Sequence, residues 1–188
     1  MLKQIEEFGK HVVIAGFRNV KIDDIEEFFK MMRNEWSSSV EIQFFDAKFV
    51  ATWQHLYFAA LNALTAFKNR ENISESLAME SLLYASAQRQ IRKAMKLLGI
   101  KPNSSEIAVL IIAEKPESVR SALSLVSKQV KAKRDDTILG LSEEKAAGIQ
   151  KIFVISYVEL ETVMKKGGLE KALTDLVIER MALLATQH

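Results

Sequence analysis

Cysteine is absent from this 188-residue chain. That excludes thiol catalysis, thiolate metal sites and a disulfide framework, and it fits a reducing compartment. Histidine is scarce: His11, His55 and His188 are the only three, and none has a partner at metal-ligand spacing. The chain has no G-x-x-x-x-G-K-[ST] loop, no G-x-G-x-x-G after a strand and no nucleophile elbow. Asp and Glu are plentiful, but nothing nominates a particular pair for acid–base work. The chain therefore reads as non-catalytic, with no cofactor and no metal. An RNA- or nucleotide-processing enzyme with an undetected carboxylate site is the alternative. No secretory leader is expected, since MLKQIEEFGK mixes charges where an apolar core is needed.

What is present is an ordinary globular profile, 48% hydrophobic and 27% charged. This length supports one real core and would crowd two, so residues 1–188 read as a single domain. The net charge is only +2, which confines any attraction for nucleic acid to a local patch. Phe49 to Phe67 carries no formal charge, yet Thr52, Gln54, His55, Asn62 and Thr65 would be costly in hydrocarbon. A buried or interfacial helix is the better reading, and a soluble, cytoplasmic protein without a membrane contact is expected.

Four apolar, β-branched runs predict strands: His11–Ala15, Val40–Phe45, Ile107–Ala113 and Ile152–Ser156. Ile22, Ile25, Phe29, Met32 and Trp36 repeat at helical spacing, as do Phe49, Trp53, Leu56, Ala60, Leu64 and Phe67, with Asp46 as the N-cap. Ser74 to Leu98 reads as two amphipathic helices meeting near Ser86, the second stopped by Gly99 in a left-handed turn. Pro116 opens another helix to about Val130, and Leu169 to Ala185 forms the last, after the flexible pair Gly167-Gly168. The stretch 131–148 is predicted to be an irregular loop with a brief helical turn. The fold class is α/β (α+β), a small mixed sheet of about four strands packed with several helices.

Three features are candidates for function. Helical geometry places Arg89, Arg92, Lys93 and Lys96 on one side, opposite Ile91, Ala94, Met95 and Leu98. That stripe is either a solvated face or a phosphate-contacting one, and no acid lies nearby to quench it. The uncharged helix carries Thr52, His55, Ala59, Asn62 and Ala66 on a separate strip. This strip either packs on the next helix, with His55 and Asn62 hydrogen-bonded inside, or forms a groove for single-stranded nucleotides. On the last helix, Ile178 and Met181 fall outside the centre of the apolar arc while Arg180 falls inside it. Together these suggest a second buried surface, and hence a partner.

Four ordered pieces also carry a family likeness: VEIQFFDAKFVATWQHLYFAALNAL, ISESLAMESLLYASAQRQIRKAMKLLGI, IAVLIIAEKPE and LTDLVIERMALL. They resemble the small kinase-binding subunit of the KEOPS (EKC) complex, the TPRKB-like family. Membership implies a non-catalytic subunit that binds the small kinase or ATPase subunit of the complex. It also implies help in recruiting tRNA, through its single-stranded CCA end, for threonylcarbamoyl modification of the adenosine next to the anticodon. On this likeness Ile178, Met181 and Arg180 are the kinase-interface candidates. Arg89, Gln90, Arg92 and Lys93 are the tRNA candidates, with His55 and Asn62 in a groove. A structural module that never touches RNA remains the blander alternative.

Overall fold

The computed structural model describes residues 1–164 and 167–184. Five strands form one sheet: β1 (Leu2–Ile5), β2 (Lys10–Arg18), β3 (Val40–Asp46), β4 (Glu106–Ala113) and the short β5 (Lys133–Arg134). The order is β1-β2-β4-β3, and β5 joins β2 near its C-terminal end. Every pairing is antiparallel, so the sheet is not mixed in direction. Successive side chains on a strand point to opposite faces. On β4, Ala108, Leu110 and Ile112 enter one core while Ile107, Val109 and Ile111 enter the other. Both faces are covered by helices, which is why the central strands read as unbroken apolar runs.

Among the described residues one layer holds two helices, α1 (Ile25–Glu35) and α5 (Pro116–Val130), packed on Phe17, Phe44 and Ile111. Asp24 starts α1 by accepting the Glu27 N–H at 2.9 Å, and Phe28 and Met32 bury its inner side. The opposite layer is larger. It contains α2 (Trp53–Asn69), α3 (Leu77–Ser86), α4 (Ile91–Leu98), α6 (Glu143–Phe153), α7 (Tyr157–Met164) and α8 (Gly168–Leu184). Glu41 on edge strand β3 reaches into this layer and accepts the Ala78 N–H at 3.0 Å, tying the start of α3 to the sheet.

Several local expectations are corrected. Ile152–Ser156 is not a strand. It is the end of α6 and the turn beyond it, because a short β-branched run cannot by itself be told from a buried helix end. Asp46 does not cap the long helix. It caps a 3-10 turn at Ala47–Phe49 by accepting the Lys48 N–H at 3.2 Å, and α2 starts later, at Trp53. Gly99 is extended rather than left-handed, at φ −66° and ψ 150°. Glycine is needed there because a Cβ would sit 2.5 Å from the Met95 carbonyl oxygen. The left-handed break in the helix pair is instead Ala87, at φ 50°. The stretch 131–148 holds β5, a 3-10 turn at Asp136–Leu139 and then the first residues of α6. Ala185 and His188 lie outside the described residues.

Candidate functional site

The junction of α6, α7 and α8 is built around one guanidinium. Ser156 precedes α7, and its hydroxyl accepts the Glu159 N–H at 3.2 Å while the Glu159 carboxylate accepts the Ser156 N–H at 2.8 Å. This reciprocal pair is a capping box. Arg180 of α8 then donates to Glu159 Oε1 at 2.6 Å and to the Phe153 carbonyl at 3.4 Å. The Ser156 N–H, Arg180 and the Ser156 hydroxyl together hold the Glu159 carboxyl down to about 2. The charge inside the apolar arc is thereby explained: Arg180 fastens α7 to α8 across the end of α6.

The outer side of this corner is apolar. Val154 is 81% exposed, Tyr157 69% and Val158 71%. Val154 also has a left-handed backbone, at φ 53°, a conformation that β-branched residues avoid. The chain thus holds a valine in solvent at a position where glycine would be less strained. The expected interface residues sit differently. Met181 is fully buried in the core, so its side chain presents nothing to a partner, contrary to the sequence reading. Ile178 is half-buried against the same core.

The basic stripe is largely as predicted. Arg89, Gln90, Arg92, Lys93 and Lys96 are exposed, with Ala94 and Leu98 buried behind them. Ile91 departs from the pattern at 44% exposure, because it occupies the first turn of α4. Arg89 Nη1 donates to the Leu184 carbonyl at 3.5 Å, linking the stripe to the end of α8. Among the described residues, Arg92, Lys93 and Lys96 form no ion pair.

His55 is not in an open groove. It is completely buried, and both ring nitrogens are occupied: Nδ1 accepts the Ala51 N–H at 3.2 Å, and Nε2 lies 2.8 Å from the Ala85 carbonyl. A ring that accepts at Nδ1 must donate at Nε2, so the neutral Nε2–H tautomer fits both contacts. Burial, chiefly, lowers its pKa to about 4. Phe153 stacks edge-on at 5.6 Å. Asn62, also proposed for that groove, is half-buried on α2. His55 therefore locks α2 to the end of α3, as the packing reading of that strip expects of it, whereas Asn62 makes no hydrogen bond among the described residues.

Residues 17–185 match the family described as kinase binding protein CGI-121. The regulatory protein Cgi121 of Methanocaldococcus jannaschii is 31% identical over 144 residues, 77% of this chain and 85% of that protein. The chain belongs to the Cgi121 family. Its matched region takes in the whole sheet from the end of β2 onward, the basic helix α4 and the α6–α8 corner. No helix among the described residues of this Cgi121-family chain is long and apolar enough to cross a membrane. Sequence reasoning missed Val154, Tyr157 and Val158. Assigning Ile152–Ser156 to a strand hid the turn that exposes them. The S-x-x-E spacing of Ser156 and Glu159 was the available signal for a helix start just after that turn.

Proposed function

We propose that this chain is the non-catalytic subunit of a KEOPS complex that binds the small kinase or ATPase subunit. In this reading it also helps recruit tRNA, through the CCA end, for threonylcarbamoyl modification beside the anticodon. The observation that carries the kinase contact is the exposed Val154–Tyr157–Val158 corner, braced by Arg180. Exposed apolar clusters of this kind mark interaction sites, and a tyrosine among valines is a common energetic anchor. Family membership supplies the identity of the partner's class. In this proposal Arg180 braces the corner, Ile178 adds a partly accessible apolar side chain on α8, and Met181 acts only by filling the core behind that helix.

The RNA contact is proposed for Arg89, Gln90, Arg92 and Lys93, whose exposed, acid-free face suits phosphate neutralisation. Co-purification with the small kinase subunit tests the first contact. Val158→Arg is expected to cut retention of the kinase by at least about tenfold with an unchanged melting curve; undiminished retention overturns the assignment. For the second contact, Arg92→Glu with Lys93→Glu is expected to weaken tRNA binding and flatten its dependence on salt. Equal affinity at matched salt for tRNA with and without its CCA end counts against recruitment through that end.

A further inference from the structure

The 3-10 turn at Ala47–Phe49, the connection from α4 to β4 and the start of α6 enclose an open cleft of about 500 Å³. Three lysines line it: Lys48, Lys101 and Lys145. Among the described residues none of the three pairs with a carboxylate. The acids around them differ in their partners. Asp46 is buried, its Oδ1 accepting the Lys48 N–H at 3.2 Å and its Oδ2 the Ser104 hydroxyl at 2.8 Å. Glu106 pairs with Arg18 at 3.5 Å. Glu144 is the one lining carboxylate left without such a partner among the described residues. With Glu106 neutralised by Arg18, the three ammonium groups face two carboxylates, Asp46 and Glu144, so the cleft keeps an excess of one positive charge.

The lysines are also positioned rather than loose. Lys48 Nζ lies 5.9 Å and Lys101 Nζ 5.4 Å from the centre of the Phe49 ring, within range of a cation–π contact. Lys145 is only 8% exposed, and its ammonium donates to the Ile138 carbonyl at 2.8 Å and the Gly140 carbonyl at 2.9 Å. An ammonium has three donors, so one N–H remains. Burial, opposed by the charges of Glu106 and Glu170, lowers the Lys145 pKa to about 8, a state that a bound anion would reverse. A bare phosphate fills only a small part of this volume. The rest of the wall offers Asn103, the Ser105 hydroxyl and the Ser142 hydroxyl, which accepts the Lys145 backbone N–H at 3.3 Å and can still donate, groups suited to a hydroxyl-bearing body.

We propose that this cleft binds a sugar phosphate unit, its phosphate held by Lys48, Lys101 and the remaining N–H of Lys145, its hydroxyls met by Ser105, Ser142 and Glu144. The unit is either a free nucleotide or sugar phosphate, or one residue of an RNA chain. None of Arg89, Gln90, Arg92 and Lys93 lines the cleft, so the proposal stands independently of the RNA face assigned above.

Titration of the purified chain with AMP, ribose 5-phosphate, adenosine and inorganic phosphate, followed by calorimetry and amide NMR shifts, tests it. AMP and ribose 5-phosphate are expected to bind and to shift the amides of residues 48–49 and 101–106. Adenosine and inorganic phosphate are each expected to bind at least about tenfold more weakly. Lys48→Glu with Lys101→Glu is expected to weaken AMP by at least about tenfold with an unchanged melting curve, because both side chains reach the surface. Lys93→Glu serves as the control: it is expected to weaken tRNA and leave AMP untouched. Displacement of AMP by a 5′-phosphorylated tetraribonucleotide at lower concentration than ribose 5-phosphate identifies RNA as the source; the reverse order identifies the free ligand. Four results overturn the proposal: no binding of either sugar phosphate, adenosine equal to AMP, inorganic phosphate as tight as AMP, or affinity indifferent to the double reversal.

Discussion

Val154 holds an exposed, β-branched side chain in a left-handed backbone, which costs about 1–2 kcal/mol relative to a relaxed conformation. Glycine relieves that cost. Val154→Gly is expected to raise unfolding stability by about 1 kcal/mol in a denaturant titration, while weakening kinase retention through loss of apolar contact area. A variant that gains stability and keeps full binding would remove Val154 from the interface. At His55 the direction of pH dependence follows from the buried ring. The unfolded chain takes up a proton near 6.5 and the folded chain only near 4. Stability from this site is therefore complete above about pH 6.5 and is lost as pH falls through that window, by about 3 kcal/mol at full protonation. Denaturant unfolding at pH 7, 5.5 and 4 checks the slope, and the imidazole NMR signals of His55 should still report a neutral ring at pH 5.

At the scale of elements, α7 is a short helix with one buried apolar residue, Leu160, and depends on its capping box and on Arg180 for its place. Arg180→Ala is expected to speed hydrogen exchange across residues 157–164 and to weaken kinase retention, with little change in exchange on β4. Uniform exchange would show that the ion pair does not set the position of α7. The same elements show where pattern reading succeeds. Strands β2, β3 and β4 and helices α1, α2, α3, α4, α5 and α8 carry apolar periodicity over many residues, and their existence was readable. The strand β1 has only Ile5 buried, and β5 is two exposed residues, so neither carries an alternation to detect. The fate of Ile152–Ser156 depended on Phe153 and Ile155 packing into a core made by distant segments. Only the tertiary arrangement decides that. The basic face of α4 was readable because charge and period coincide within one helix. The burial of Met181 was not, since it depends on which neighbours α8 receives.

At the scale of the whole molecule, the 3-10 turn at Asp136–Leu139 packs on the sheet where β2 has no side chain. A Cβ at Gly16 would lie 2.5 Å from Ile138 Cγ1 and 2.7 Å from the Asp135 carbonyl oxygen. The Gly16 N–H also donates to Asp136 Oδ1 at 3.0 Å, and its carbonyl accepts the Asp135 N–H at 2.8 Å. Gly16→Ala is expected to cost about 1–3 kcal/mol by forcing the 3-10 turn off the strand. Thermal melting measures that loss, and an unchanged transition would mean the turn shifts freely. The two layers have a practical consequence as well. Every surface assigned above lies on the larger layer, or at its margin, and α5 stands on the other. Ser124 is exposed on α5, and the chain has no native thiol. Ser124→Cys would therefore create a unique attachment point for a fluorophore or a sensor surface, reporting kinase, tRNA and nucleotide from behind without obstructing any of them.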